Sequence, residues 1–221
     1  MILALESSTP WLGIALVEGK EVLFHVVHRT QASHSLLLVE YLKAIREQFD
    51  LERKLELIAV GLGPGSFTGV KVGNIIAKGL AYALGVPLAG FSTLEIMASR
   101  VLRTFGDLRV IVPVIVHRKG EMFWSEFKGC DENFLPPLSL QIGSWEEFTS
   151  RYRERPDILV ATPWQNLVGS LEEAGISCVD PSIAVPDALE LVRLCREKGA
   201  MGDFENIFTM VPLYGSKVFE R

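Results

Sequence analysis

Cysteine is scarce in this chain. It stands only at Cys130, Cys178 and Cys195, an odd number at long spacings with no Cys-x-x-Cys pair. That leaves neither a zinc-ligand pattern nor a disulfide framework, and free thiols in a reducing compartment are expected. Surplus positive charge is also missing: 22 Lys and Arg face 27 Asp and Glu, for a formal charge of −5. A chain that grips nucleic acid by itself carries a basic surplus, so a nucleic-acid role is expected only through a partner. No apolar run reaches the ~18 residues of a membrane helix. The opening MILALESSTPWLGIALVEGK has no positive region ahead of an apolar stretch, so it reads as a strand and not a signal peptide. A cytoplasmic protein is expected. His-Glu-x-x-His and Gly-x-Ser-x-Gly do not occur, which removes the usual peptidase signatures.

What is present is ordinary globular material, 48% apolar and 22% charged over 221 residues, enough for one compact domain or two small lobes. The first thirty residues predict a three-strand antiparallel meander: Ile2–Ser7, Trp11–Val17 and Val22–His28, the last two joined at Glu18-Gly19-Lys20. A helix is predicted over Ser35–Phe49, where Leu37, Leu38, Tyr41, Leu42, Ile45 and Phe49 recur at helical spacing. Leu36 and Val39 widen its apolar surface beyond one buried stripe, so the helix is either deep in a core or covered by something else. Strand Leu57–Gly61, helix Gly69–Leu84 stopped by Gly85, strand Val86–Phe91 and a helix from Ser92 to Phe105 follow, an alternation that implies parallel strands with crossovers.

The rest is less regular. Val110–Val116 and Met122–Phe127 predict a hairpin, Asn133–Gly143 a loop, Asp157–Ala161 a strand, Pro163–Ala174 a helix, Ile176–Val179 a strand and Pro186–Lys198 a helix. Residues 1–108 are expected to form one lobe, and 109–221 a smaller lobe with a docking tail.

The turn after Leu57–Gly61 is the chemical focus. Gly61, Gly63, Gly65 and Gly69 sit between a strand and a helix, where glycine allows positive φ and close approach. A helix N-terminus there attracts anions. The functional reading is a phosphate or nucleotide contact through Gly63, Gly65, Ser66 and Lys71; the alternative is a plain tight turn. Neither the P-loop nor the dinucleotide fingerprint fits: no Gly-Lys-Ser/Thr follows, and Ser66 stands where the last fingerprint glycine belongs. Behind the turn, Gly69, Gly73, Ala77 and Ala81 form a smooth ridge at spacings of four, which lets a helix of this chain or of another chain approach closely.

These residues resemble a family. Ile2–Ser8, Gly63–Gly73, Ala77–Ala81 and Val86–Thr93, in that order, are similar to the TsaB (YeaZ) family, with weaker echoes at His117–Phe123 and Tyr214. The resemblance implies an α/β fold of the actin/hexokinase type (ASKHA, ribonuclease H-like) with two lobes, the second reduced. It implies a non-catalytic, activating subunit in the bacterial pathway that places threonylcarbamoyl on the adenosine beside the anticodon of tRNAs reading ANN codons. It implies pairing with TsaD, which carries the catalytic site, and association with TsaE, an ATPase, with TsaC supplying threonylcarbamoyl-adenylate. ATP or ADP and a metal then belong to the partner subunits, with nucleotide contact at the junction, and tRNA is met only through the complex.

Aligned on Val86–Gly90, the His-x-x-x-His metal pair of the catalytic paralogue falls on Thr93 and Met97, which are poor ligands. No bound metal is expected. Glu6, at the end of the first strand, is weighed as a further nucleotide-site acid, against the alternative of a partly exposed strand-end acid. His117 stands where the family usually has an acid, and His25, His28 and His34 have no partners at ligand spacing. The expected partner surface is Leu37, Leu38, Tyr41, Leu42 and Ile45 of the first helix with Gly69, Gly73, Ala77 and Ala81 of the second, and a homodimer through the same faces when the chain is alone. The competing reading is a small ATP-dependent kinase of the same fold, acting on a sugar or carboxylate.

Overall fold

A computed structural model describes residues 1–30, 34–106, 110–117, 120–130, 133–134, 139–200 and 206–213; at 129, 130, 133, 134 and 198–200 it describes the backbone alone. The described residues divide into two compact units, Met1–Thr93 with Pro186–Leu213, and Leu94–Val185.

The first unit is built on β1 (Ile2–Glu6), β2 (Trp11–Glu18), β3 (Glu21–Arg29), β4 (Leu57–Gly61) and β5 (Leu88–Phe91), in the spatial order β3-β2-β1-β4-β5. The tight turn at Gly19, with φ +53°, makes β2 and β3 antiparallel, as the meander predicts. β1 pairs antiparallel with β2 and parallel with β4, and β4 runs parallel to β5. Strands covered on both faces need unbroken apolar runs, and β2, β4 and β5 supply them: Leu12–Val17, Leu57–Gly61 and Leu88–Phe91 are buried throughout.

Helices α1 (His34–Gln48) and α3 (Phe67–Leu84) pack on this sheet and on each other, with the one-turn α2 (Leu51–Lys54) between α1 and β4. Gly85, at φ +66°, ends α3 in the left-handed cap that its position predicts.

A boundary after residue 108 does not describe this division. Helix α7 (Ala188–Ala200), far along the chain, returns to pack against β1, β2 and β4. Asp187 caps it, accepting from the Leu189 amide at 2.9 Å, and holds His25 Nε2 of β3 at 2.8 Å. Its buried Ala188, Leu191, Val192, Leu194 and Cys195 give the sheet its apolar cover on that side.

The second unit takes most of α4 (Thr93–Phe105), then β6 (Val110–Val116), β7 (Met122–Trp124), β8 (Phe127–Cys130), β9 (Asn133–Phe134), β10 (Gln141–Gly143), α5 (Trp145–Tyr152), β11 (Ile158–Ala161) and α6 (Gln165–Glu173). β6 is central, flanked by antiparallel β7 and β8 at its two ends and by parallel β11. The predicted single strand Met122–Phe127 is thus two strands, broken at Ser125-Glu126, and β10 arises inside the predicted loop. Period-two alternation on β6 sorts two cores: Ile111 and Ile115 face α4 residues such as Met97 and Val101, whereas Val112 and Val114 meet Phe148, Tyr152 and Leu171. The predicted strand Ile176–Val179 reduces to one bridge, Val160 to Cys178. Arg118, Lys119, Pro136, Pro137 and the tail from Tyr214 lie outside the described residues. Among the described residues no helix is long and apolar enough to cross a membrane.

Candidate functional site

Of the residues weighed from sequence, Glu6, Gly65, Gly69 and Gly73 come together where β1 runs out beneath the glycine turn. Glu6, Ser7 and Ser8 leave β1 and are closed in by Gly61, Gly65, Gly69 and Gly73, four glycines at spacings of four. A side chain on Gly61 would strike the Glu6 carboxylate. One on Gly65 would strike the Ser8 carbonyl, one on Gly69 the Ser7 carbonyl, and one on Gly73 the Ser7 hydroxyl. Glycine is required at these places for close approach to this chain's own strand end.

That overturns part of the expected partner surface. Gly69, Gly73, Ala77 and Ala81 are buried within the unit, as are Leu38 and Ile45 of α1, so they are not free to meet another chain. Small residues at i, i+4 permit close approach on their side of a helix but do not say what approaches, and here Ser7 meets Gly69 and Gly73. Leu37, Tyr41 and Leu42 are half-buried, with the Tyr41 hydroxyl 3.0 Å from His28 Nδ1. The large apolar side chains that α1 and α3 hold outward are Leu36 (71% exposed), Val39, Phe67, Ile75 (59%) and Tyr82 (70%). The extra apolar width of α1 in the sequence already pointed to Leu36 and Val39; the outward stripe of α3 was hidden behind its small residues.

The turn's polar groups are engaged inside the chain. Helix α3 starts earlier than predicted, because Ser66 is its N-cap: the Ser66 hydroxyl accepts from the Gly69 amide at 3.4 Å. The Ser66 amide donates to the Ser8 carbonyl at 2.6 Å, and the Thr93 amide to the Gly63 carbonyl at 2.7 Å. Gly63 holds φ +86° with the Leu213 carbonyl against it. Asn74 donates through Nδ2 to the Gly61 carbonyl at 3.0 Å. Ser66 remains exposed. So does Lys71, whose ammonium lies 5.8 Å from the Phe67 ring centre on the outer side of α3.

Glu6 is fully enclosed. Its Oε1 accepts from the Ser8 amide at 2.7 Å, and Thr93 Oγ1 lies 3.5 Å from Oε2. Thr93 Oγ1 in turn shares a hydrogen bond of 2.7 Å with Ser8 Oγ. Burial raises the Glu6 pKa above the ordinary carboxylate value, and the Ser8 and Thr93 bonds only partly oppose it. Thr93 is committed to this network, and Met97, one turn on, sits in the apolar core of the second unit. Neither side chain is arranged as a ligand, and among the described residues no three His, Cys, Asp or Glu are grouped to hold a metal.

The other histidines have structural partners that spacing could not show: His25 with Asp187, 162 residues away, and His34 Nδ1 3.2 Å from the Ser7 carbonyl. His117 packs against Phe123, with ring centres 4.6 Å apart and planes tilted by 56°, and closes its hairpin, its amide donating to the Glu121 carbonyl. Cys178 is half-buried with its thiol pushed up to about 12, chiefly by burial; Cys195 is buried.

The strand order, the helix behind the glycine turn and the enclosed acid at the end of β1 define an α/β chain of the actin/hexokinase (ASKHA, ribonuclease H-like) type. Residues 22–137 match the family model described as tRNA N6-adenosine threonylcarbamoyltransferase, TsaD. The chain is 30% identical to the tRNA threonylcarbamoyladenosine biosynthesis protein TsaB of Bacillus subtilis, over 70% of this chain and 68% of that one. It is equally identical to TsaB of Escherichia coli K12, over 72% and 70%, and 26% identical to that of Haemophilus influenzae, over 96% and 92%. Among solved structures, YeaZ from Pseudomonas aeruginosa superposes with a TM-score of 0.80 at 25% identity, covering 96% of this chain and 98% of that one. The chain belongs to the TsaB/YeaZ family.

Proposed function

We propose that this chain acts in the biosynthesis of threonylcarbamoyladenosine on tRNA, as a cytoplasmic, non-catalytic subunit that pairs with a TsaD-family subunit, the pair being joined by the ATPase TsaE. The observation that carries this reading is the division of α3 into two sides. Its small residues are spent on Ser7 and the sheet, while Ile75 and Tyr82, with Leu36 and Val39 of α1, present an apolar surface to solvent. Exposed apolar clusters of this kind mark interaction sites. The family-model match over 22–137 spans both helices, so a TsaD-family partner has counterparts of α1 and α3, and two such helix pairs can meet about a pseudo-two-fold axis. A second copy of the chain fills the same place when the partner is missing.

The absence of a catalytic role rests on Glu6, which is enclosed and already accepts a backbone hydrogen bond, so it has no path to a substrate. In this reading nucleotide and metal belong to the partner subunits. Any nucleotide contact made by this chain at the junction falls on Ser66 and Lys71, the exposed members of the glycine-turn set. Transfer RNA is met only through the assembled complex.

The test is co-purification of the chain with its TsaD-family partner, with nucleoside analysis of tRNA after depletion of the chain. Ile75→Glu together with Tyr82→Ala should abolish pairing and lower the modified nucleoside while leaving thermal stability near wild type. Retained pairing in that variant, or unchanged tRNA after depletion, defeats the reading.

A further inference from the structure

Residues 206–213 lie along α3 as a strap. Asn206 starts it with a turn, its Oδ1 accepting from the Phe208 amide at 2.9 Å and its carbonyl from the amides of Thr209 and Met210. Two anchors then fix it to the body. Lys78 of α3 donates to the Met210 carbonyl at 2.6 Å, and the Leu213 amide donates to the Leu62 carbonyl at 2.8 Å. Met210 and Leu213 point inward and are buried. Phe208 and Val211 point outward, 77% and 53% exposed.

Phe208 meets Tyr82 edge-on, with ring centres 6.2 Å apart and an interplanar angle of 74°. The two rings support each other yet both remain largely in water. The strap therefore adds an aromatic ring beside Tyr82, and a second exposed apolar side chain, Val211, three residues on.

We infer that this strap is a third element of the surface that receives the TsaD-family subunit, with Phe208 as an anchor residue. The inference rests on the pairing proposed above. Area is one argument. A stable interface takes ~800 Å² from each partner, and five partly exposed side chains on α1 and α3 offer on the order of 500 Å². Phe208 and Val211 bring on the order of 200 Å² more, with Phe208 directly against Tyr82. Composition is another: binding energy concentrates in aromatic residues near the middle of a patch, and the strap sets two aromatic rings side by side. Selectivity is the third. The match to the TsaD family model ends at residue 137, and the strap lies beyond it. It is placed to give the pair of unlike chains a contact that like helix faces alone do not supply.

The experiment is titration calorimetry of the full chain against its TsaD-family partner, comparing wild type, Phe208→Ala/Val211→Ala and Ile75→Glu, with thermal midpoints and sedimentation of each variant alone. Both strap residues are exposed, so the double variant should keep its midpoint while its Kd for the partner rises at least tenfold. A Kd within twofold of wild type overturns the inference. So does a double variant that loses self-association but keeps the partner, because the strap then serves a second copy. Failure of the pairing itself reads differently: Ile75→Glu would bind as well as wild type.

Discussion

The hydroxyl of Ser7 donates to the carbonyl of Gly69 at 2.9 Å, and in doing so fills the space that a side chain on Gly73 would need. One serine at the exit of β1 thus explains two glycines of α3. Ala at position 73 would gain ~1 kcal/mol of helix propensity and lose about 1–3 kcal/mol to overpacking against the hydroxyl. Gly73→Ala is expected to destabilise, and Gly73→Ala in a Ser7→Ala background to be neutral or stabilising, since the Ser7 β-carbon is 3.6 Å away, an ordinary contact. A double-mutant cycle by urea denaturation reads the coupling. Additive effects would contradict this account of the ridge.

Glu6 predicts a pH dependence of stability. Its folded pKa is raised by burial, so its contribution is fully present below the unfolded value near 4.5 and is lost as pH rises through the folded value. Glu6→Gln removes the titration. Stability of the wild type relative to Glu6→Gln should fall between pH 5 and 8, by up to ~1.4 kcal/mol per pH unit until the folded pKa is passed. Urea midpoints across that range check it; a difference that is flat or grows in favour of the wild type would contradict it.

The second unit has its own network around a half-buried acid, Glu126. The Tyr152 hydroxyl donates to Glu126 Oε1 at 2.8 Å, Arg151 donates to the same oxygen at 2.9 Å, and Arg155 reaches Oε2 at 3.4 Å while forking onto Asp157. Burial, then Glu126, push the phenol above its ordinary range. Tyr152→Phe should cost about 1 kcal/mol. Glu126→Ala should cost more, because it leaves the buried hydroxyl without an acceptor. Chemical denaturation of both variants gives the order, and the reverse order would count against the network.

Asp187 carries two duties, as cap of α7 and as partner of His25. Asp187→Ala is expected to lose about 1–2 kcal/mol, in the range of a lost N-cap, and His25→Ala to lose less, since that ring is partly exposed. Amide exchange in the first turn of α7 should rise in the former variant and stay near wild type in the latter.

How much of this was legible in the sequence depends on range. The meander, the strand before the glycine turn and the Gly85 cap were, because each is decided by neighbours a few residues apart. Helix α5 was missed although its signal is local: Ser144 and Glu147 form a reciprocal capping box, with Glu147 accepting from the Ser144 amide at 2.7 Å. The side of α3 that faces inward was not legible, because glycine and alanine declare closeness and leave the neighbour unnamed. Nor was Asp187 as partner of His25, since nothing local links β3 to a residue so far along the chain. The enclosure of Glu6 was likewise invisible, because it depends on Gly61, Ser8 and Thr93 arriving from three separate segments.

The return of α7 to the first sheet also sets an order of events during synthesis. Strands β1 and β2 leave the ribosome more than 150 residues before the helix that covers them, while Leu94–Val185 of the second unit is encoded between. At ~5–20 residues per second, one face of the first sheet waits on the order of ten seconds for its cover. The nascent sheet therefore spends that interval with one apolar face bare, and the stage most exposed to chaperone capture or misassembly comes before Ala188 has been translated.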